Sequence, residues 1–170
     1  MIKLAVTNLG KYNEGNLVYA WLTLPATEEE IKECLDSIGI NEEYEEYFNS
    51  DHETDIEGLE IGEYTSIDSL NTIAESYDNL DTSEQDILSS ILEANGGTFE
   101  QAMEILESQS YQFYQCDSLE DLAQEMFDEG LWGDTSAMGT LANYIDFERL
   151  GRDLGFDGYT VTSKGIIRLD

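Results

Sequence analysis

The 170-residue chain is 41% hydrophobic, with ten Tyr and six Phe, enough apolar surface for one packed domain or two or three small ones. Seven Lys plus Arg face 38 Asp plus Glu, a formal net charge of -31, and that sign disfavours direct nucleic-acid binding. No apolar run is long enough to cross a bilayer, and two Cys with one His make neither a four-ligand zinc site nor a disulfide framework.

Residues Ile2 to Thr7 and Leu17 to Leu24 alternate and are rich in β-formers, which predicts an antiparallel hairpin joined by the turn-rich Gly10–Gly15 stretch. The first residues read as a strand and not as a secretory leader, so the cytoplasm is the expected compartment. Pro25 ends the second strand. Thr27 with Glu30 is a capping box for a helix whose apolar face is Ile31, Cys34, Leu35 and Ile38, stopped by Gly39. Residues 42–49 set Tyr44, Tyr47 and Phe48 among Glu42, Glu43, Glu45 and Glu46 and gain strand character towards the end. Residues 51–63 are acidic, Gly-punctuated and expected to be irregular.

Ser66 opens a helix that buries Ile67, Leu70, Ile73 and Ala74. Thr82 with Gln85, and Thr98 with Gln101, signal two further helix starts, separated by Gly96-Gly97. Their apolar faces are Ile87, Leu88, Ile91 and Leu92, then Phe99, Ala102, Met103 and Leu106. A strand at Tyr111–Gln115 precedes a helix capped by Ser118 that carries Leu119, Leu122, Ala123 and Met126. A loop at 130–139 containing Trp132, a helix from about Thr140 to Leu150, and a hairpin of Tyr159–Thr162 with Ile166–Leu169 complete the chain. This order predicts an α+β fold of three small units: an N-terminal α+β unit (1–62), a helical middle (63–108) and a C-terminal α+β unit (109–170).

The basic residues, Lys3, Lys11, Lys32, Arg149, Arg152, Lys164 and Arg168, all lie towards the two ends; from Glu33 to Glu148 there is no Lys or Arg. A globule of this length has a radius of gyration of about 15 Å. Concentrating such charge on it opposes compactness, so an elongated body is expected. At one charge per roughly 1.7 Å of duplex axis, the net charge equals that of roughly 50 Å of DNA.

The residue types that carry chemistry are sparse. His52 sits in an acidic segment and reads as a solvated surface histidine; Cys34 and Cys116 read as buried small hydrophobes. Glu53, Asp55, Glu57 and Gly58 imitate the start of an EF-hand loop, but the closing bidentate Glu falls on Tyr64. Nothing among the 38 acids selects a catalytic carboxylate pair, and there is no Gly-rich phosphate loop or basic patch. The acids themselves admit two readings, a surface complementary to a basic partner or a solvated exterior that does nothing but stay wet.

Four blocks in order carry a family resemblance. Leu9, Tyr12, Asn13, Gly15, Leu17 and Trp21 form the skeleton Leu-x-x-Tyr-Asn-x-Gly-x-Leu-x-x-x-Trp. Glu45-Glu46-Tyr47-Phe48 with Asp51 and Glu53 follow, then the run from Glu63 to Asn71, and finally Asn143–Asp146 with Gly151-Arg152-Asp153-Leu154. From about Lys3 to Arg168 the chain resembles the ArdA antirestriction family. It departs at His52, where an aromatic such as Tyr is expected, and the Gly96-Gly97 segment has no family motif.

The resemblance implies a non-catalytic protein of conjugative plasmids and transposons, without cofactor or metal, that mimics DNA. Its implied partner is a type I restriction–modification enzyme, through the DNA-binding specificity and methyltransferase subunits. It further implies three domains in a curved rod and a homodimer made by the C-terminal unit, with no membrane and no nucleic acid bound directly. The acids expected to stand in for phosphates are Glu28, Glu29, Glu42, Glu43, Glu45, Glu46, Asp51, Glu53, Glu57, Glu60, Glu63 and Asp68. Gly15 is expected to serve the turn and Trp21 to pack the first core, Arg152 to pair with nearby carboxylates, and Trp132, Tyr144 and Phe147 to be core or dimer contacts. The competing readings are an acidic module for another basic DNA-binding protein and an enzyme using carboxylates.

Overall fold

In a computed structural model, which describes residues 1–133 and 135–170 and all side chains but those of 134–136, strand β1 (Ile2–Asn8) lies between β2 (Tyr19–Leu24) and β3 (Tyr47–Thr54). Both pairings are antiparallel, with Leu4 opposite Leu22 on one side and His52 on the other. The fold is α+β, with eight helical segments and two three-stranded sheets among the described residues. By its backbone contacts the chain divides into two compact units, Met1–Gln85 and Asp86–Asp170.

In the first unit the expected hairpin is present, but its connection is a short helix, α1 (Leu9–Asn13), capped by the Asn8 side chain. Gly15 leaves that turn at φ +84°, a conformation that glycine adopts without cost. The register puts Ile2, Leu4 and Val6 on one face with Leu22 and Leu24, and all five are buried. Helix α2 (Glu28–Ser37) starts at the expected capping box: Thr27 Oγ1 accepts from the Glu30 N–H, and the Glu30 carboxylate accepts from the Thr27 N–H at 2.8 Å. Helix α3 (Ile67–Asp78) is capped by Ser66 and buries Ile67, Leu70, Ala74 and Tyr77. The Asn71 amide clasps Ala26, accepting from its N–H at 2.7 Å and donating to its carbonyl, which ties α3 to the end of β2.

Three expectations need correction here. Residues 51–54, expected to be irregular, belong to β3, because the ladder with β1 supplies backbone partners that local composition does not reveal. His52 is therefore an exposed strand residue. Trp21, expected in the first core, alternates with Leu22 and Leu24 and lies on the opposite, open face, 47% exposed. Helix α4 (Thr82–Asn95) starts one residue earlier than expected: Asp81 and Glu84 exchange the capping bonds, each at 2.9 Å, and Gln85 instead donates to the carbonyls of Tyr77 and Leu80.

The second unit takes α4 from Asp86, then α5 (Phe99–Ser108), opened by the Thr98–Gln101 capping box. Its sheet has the order β4 (Tyr111–Tyr114), β6 (Ile166–Leu169), β5 (Thr160–Val161), all antiparallel. The closing turn is pinned to α4: Ser90 and Thr162 hydroxyls bond at 2.8 Å, and the Ser163 N–H donates to the Glu93 carboxylate. Helix α6 (Leu119–Asp128), capped by Ser118, packs on α7 (Phe147–Phe156), and Leu122, Ala123, Met126 and Leu154 share a core with Tyr159 and Ile166. Gly151 makes that approach possible, since a Cβ there would come within 2.6 Å of the Leu119 carbonyl. The helix expected from Thr140 to Leu150 is instead two elements: a 3-10 stretch, Thr135–Tyr144, broken at Gly139, and then α7, which begins only after the Asp146 cap. Within the loop expected at 130–139, Asp134 lies outside the described residues.

Candidate partner-binding surface

Acidic side chains cover both units. The first holds 21 Asp and Glu against three Lys, the second 17 against four Lys and Arg, formal charges of -18 and -13. Every acid whose side chain is described is exposed, except the half-buried Asp86. Among the described residues only four ion pairs form: the Met1 amino group with Asp55, Lys3 with Glu53, Lys32 with Asp36, and Arg152 with Glu148. Most of the remaining described carboxylates face water, where they carry no desolvation cost.

All twelve acids singled out from sequence are exposed and belong to the first unit. Their backbones are held by identifiable bonds. Glu28 and Glu29 occupy the first turn of α2, where the helix dipole favours carboxylates. Glu42 and Glu43 ride a turn closed by Asn41, whose Oδ1 accepts from the Glu43 and Tyr44 N–H groups at 2.8 and 3.1 Å. Tyr44 anchors that turn by donating to the Glu14 carboxylate, with Lys11 over its ring at 5.7 Å. Hydrogen bonding to Glu14, first among the causes, raises the Tyr44 phenol above its ordinary pKa.

The Glu46 carbonyl accepts from the Leu9 N–H at 3.0 Å, and Glu45 and Glu46 line a shallow cleft of about 280 Å³ with Leu9, Tyr47 and Tyr64. Glu63 is brought to the same end of β3: its carbonyl accepts from the Asn49 N–H at 2.7 Å, while the Asn49 amide donates to the carbonyls of Gly62 and Thr65. Asp51 and Glu53 project from one face of β3, about 6.8 Å apart by strand geometry. Glu57 and Glu60 lie in the following loop and Asp68 in the first turn of α3. Of the twelve, Glu53 alone is in an ion pair, with Lys3 at 3.3 Å.

Composition did not single out Tyr64, exposed beside Glu45 and Glu46, nor the exposed row Leu17, Tyr19 and Trp21. Strict alternation through Tyr19–Leu24 was the available signal for the row. Other chemistry is quiet. Among the described residues no three His, Cys, Asp or Glu side chains are placed to hold a metal ion. Burial raises the Cys34 thiol, and burial together with a 2.9 Å bond to Glu125 pushes Cys116 up to about 12, so neither thiol is activated.

In the second unit Phe147 packs against the core and edge-on to Phe127 at 5.6 Å, as expected of a core residue. Trp132 and Tyr144 do not; they are exposed, Tyr144 at 85%. Trp132 and Met138 line a groove of about 610 Å³ together with Phe127, Ile145 and Leu150, and Asp146, Arg149 and Asp153 are its charged lining; Leu131, Leu141 and Phe156 are exposed as well. Arg152 makes an exposed contact with Glu148 one helical turn away, at 3.3 Å.

These features define an acidic α+β protein with an exterior of exposed carboxylates. A family model described as Antirestriction protein (ArdA) matches residues 5–168, and the chain belongs to that family. A search of curated proteins returned no match. Among the described residues no helix is long and apolar enough to cross a membrane.

Proposed function

We propose that this chain is a non-catalytic antirestriction protein that mimics the charge of B-form DNA and occupies the DNA-binding channel of a type I restriction–modification enzyme, against its specificity and methyltransferase subunits. The observation that carries the reading is the carboxylate surface: the sequence has 31 acids and no Lys or Arg from residue 33 to 148, and those whose side chains are described are all exposed except the half-buried Asp86. A channel that binds duplex by Lys and Arg gains affinity from many phosphate contacts, and such a surface offers many carboxylates in their place. Glu28, Glu29, Glu42, Glu43, Glu45, Glu46, Asp51, Glu53, Glu57, Glu60, Glu63 and Asp68 are assigned as the phosphate surrogates of the first unit, with Glu53 weakened in that role by Lys3.

The proposal includes an elongated homodimer in the cytoplasm, with units at 1–62, 63–108 and 109–170 and the last as the dimerisation unit. The exposed apolar groove of the C-terminal region supports that role, since a patch of this kind marks an association site. Its charged lining suits a two-fold contact, because Arg149 of one copy has Asp146 and Asp153 as counter-charges on the other. The test is expression in a host with an active type I system. Restored transformation by unmodified DNA, with the chain co-purifying with the enzyme, is the expected result. Undiminished restriction, or capture of a different basic DNA-binding protein only, overturns it.

A further inference from the structure

The open face of the first sheet carries a second kind of recognition element. Ala5, on the central strand, is opposite Trp21 on β2 and opposite Asp51 on β3. Neighbouring strands lie about 4.8 Å apart, so Trp21 and Asp51 stand as two walls with backbones roughly 10 Å apart and the methyl of Ala5 as the floor. The resulting cleft of about 200 Å³ is also lined by Leu17, Tyr19 and Ser50. A β-bulge lies beneath it, between Ala5 and Val6, where Ser50 is the extra residue and bonds the Ala5 carbonyl at 3.2 Å and the Thr7 hydroxyl at 2.7 Å. Bulges re-aim the side chains beside them. The face ends where Tyr12 covers Phe48 edge-on at 5.3 Å, so the aromatic row beyond is left open, with Tyr19 at 50% exposure.

We infer that this cleft is the seat of an arginine side chain from the DNA-binding protein that the chain inhibits, its guanidinium flat on the Trp21 indole and its N–H groups on the Asp51 carboxylate. The inference rests on the proposed function. Charge selects the occupant: among the described residues Asp51 has no cationic partner, and Lys3, the one cation on this face, is already held by Glu53. An apolar or acidic insert leaves the Asp51 carboxylate desolvated and unpaired, which is costly. Arginine is favoured over lysine because a planar, weakly hydrated guanidinium stacks on an aromatic face while its edge forks to a carboxylate. Tryptophan and arginine are also the residues most often found at the energetic centre of interfaces. The distributed acids then supply attraction, and this cleft supplies a fixed point of register.

Two measurements on the full chain test it. In the first, triarginine amide and trilysine amide are titrated while the Trp21 indole N–H resonance, assigned by its loss in Trp21→Phe, is followed. Triarginine is expected to shift Trp21 saturably, more than it shifts Trp132 and more than trilysine does, and Asp51→Asn is expected to weaken the response. Equal responses to the two peptides, or a Trp21 shift no larger than that of Trp132, overturn the inference. In the second, inhibition of a type I enzyme is measured for folded variants. Trp21→Ala is expected to lose at least about tenfold, as a central anchor does, Trp21→Phe less, and Asp51→Asn more than Glu46→Gln. If Trp21→Ala is poorly folded, the ranking of Asp51→Asn against Glu46→Gln decides, and equal small losses count against the cleft. Should the wild-type chain fail to bind the enzyme, the proposed function falls, while the peptide titration still decides the cleft.

Discussion

Gly151→Ala sets two opposing terms against each other at the α6–α7 contact. Inside a helix, Gly to Ala gains about 1 kcal/mol from propensity. Here the new methyl meets the Leu119 carbonyl carbon and oxygen at 2.6 Å and the Glu120 nitrogen at 2.8 Å, all backbone atoms of the facing helix. Backbone cannot swing aside as a side chain can, so the helices must separate and the shared core of Leu122, Met126 and Leu154 loosens. Overpacking of this kind costs about 1–3 kcal/mol. Contact with backbone places it in the upper part of that range, leaving a net loss of about 1–2 kcal/mol. For a unit of 85 residues that is a fall in Tm of roughly 5–15 °C. Gly155→Ala is the control on the same helix: its methyl meets only the flexible Leu119 Cδ1, at 3.3 Å. Paired thermal and urea melts should show Gly151→Ala destabilised and Gly155→Ala unchanged or slightly stabilised. If the two variants are equally stable, the close approach at Gly151 is wrong.

Other outcomes follow from the same surfaces. Glu46→Gln should weaken inhibition little, because an exposed ion pair contributes at most about 1 kcal/mol; neutralising Glu42, Glu43, Glu45 and Glu46 together should cost about 2–4 kcal/mol in a binding titration. Complete loss from Glu46→Gln alone contradicts a distributed surface. If the chain is the proposed dimer, Arg149→Glu, in the lining of the apolar groove, should convert it to monomer by sedimentation without lowering the melting temperature of the first unit, whereas an unchanged oligomeric state removes the groove from the interface. Cys116 should resist alkylation at neutral pH in the folded chain. Because its folded pKa is raised, the unfolded chain releases its proton first, so stability should decline as pH rises from about 9 towards about 12. Cys116→Ser should flatten that decline, and an unaltered profile assigns it to other groups.

Much of the fold was legible because its signals are local. The Thr27–Glu30 and Thr98–Gln101 boxes, the Ser66 and Ser118 caps and the β1–β2 hairpin each declare themselves within a few residues. What was hidden depends on distant partners. Residues 51–54 look irregular until β1 supplies their ladder, and the 3-10 turn ahead of Asp146 displaces a helix that apolar spacing alone placed too early. Trp21 was misread because its size suggests core while its strand parity places it outside. The acidic surface was readable from composition, since 38 carboxylates cannot be buried; how α2, β3, α3 and the bonds of Asn41 and Asn49 place the twelve assigned acids was not.

Mimicry of DNA is tested most directly by competition with DNA on the enzyme itself, as a function of salt. Duplex carrying the recognition site should displace the chain from the type I enzyme, and the chain should displace duplex. DNA binding falls steeply with salt because condensed counterions are released, whereas carboxylates spread over a thicker protein surface condense fewer of them. The slope of log affinity against log salt should therefore be shallower for the chain than for duplex, and the chain should compete best at the higher salt. Simultaneous binding of chain and duplex, or a slope for the chain as steep as that of duplex, contradicts the account.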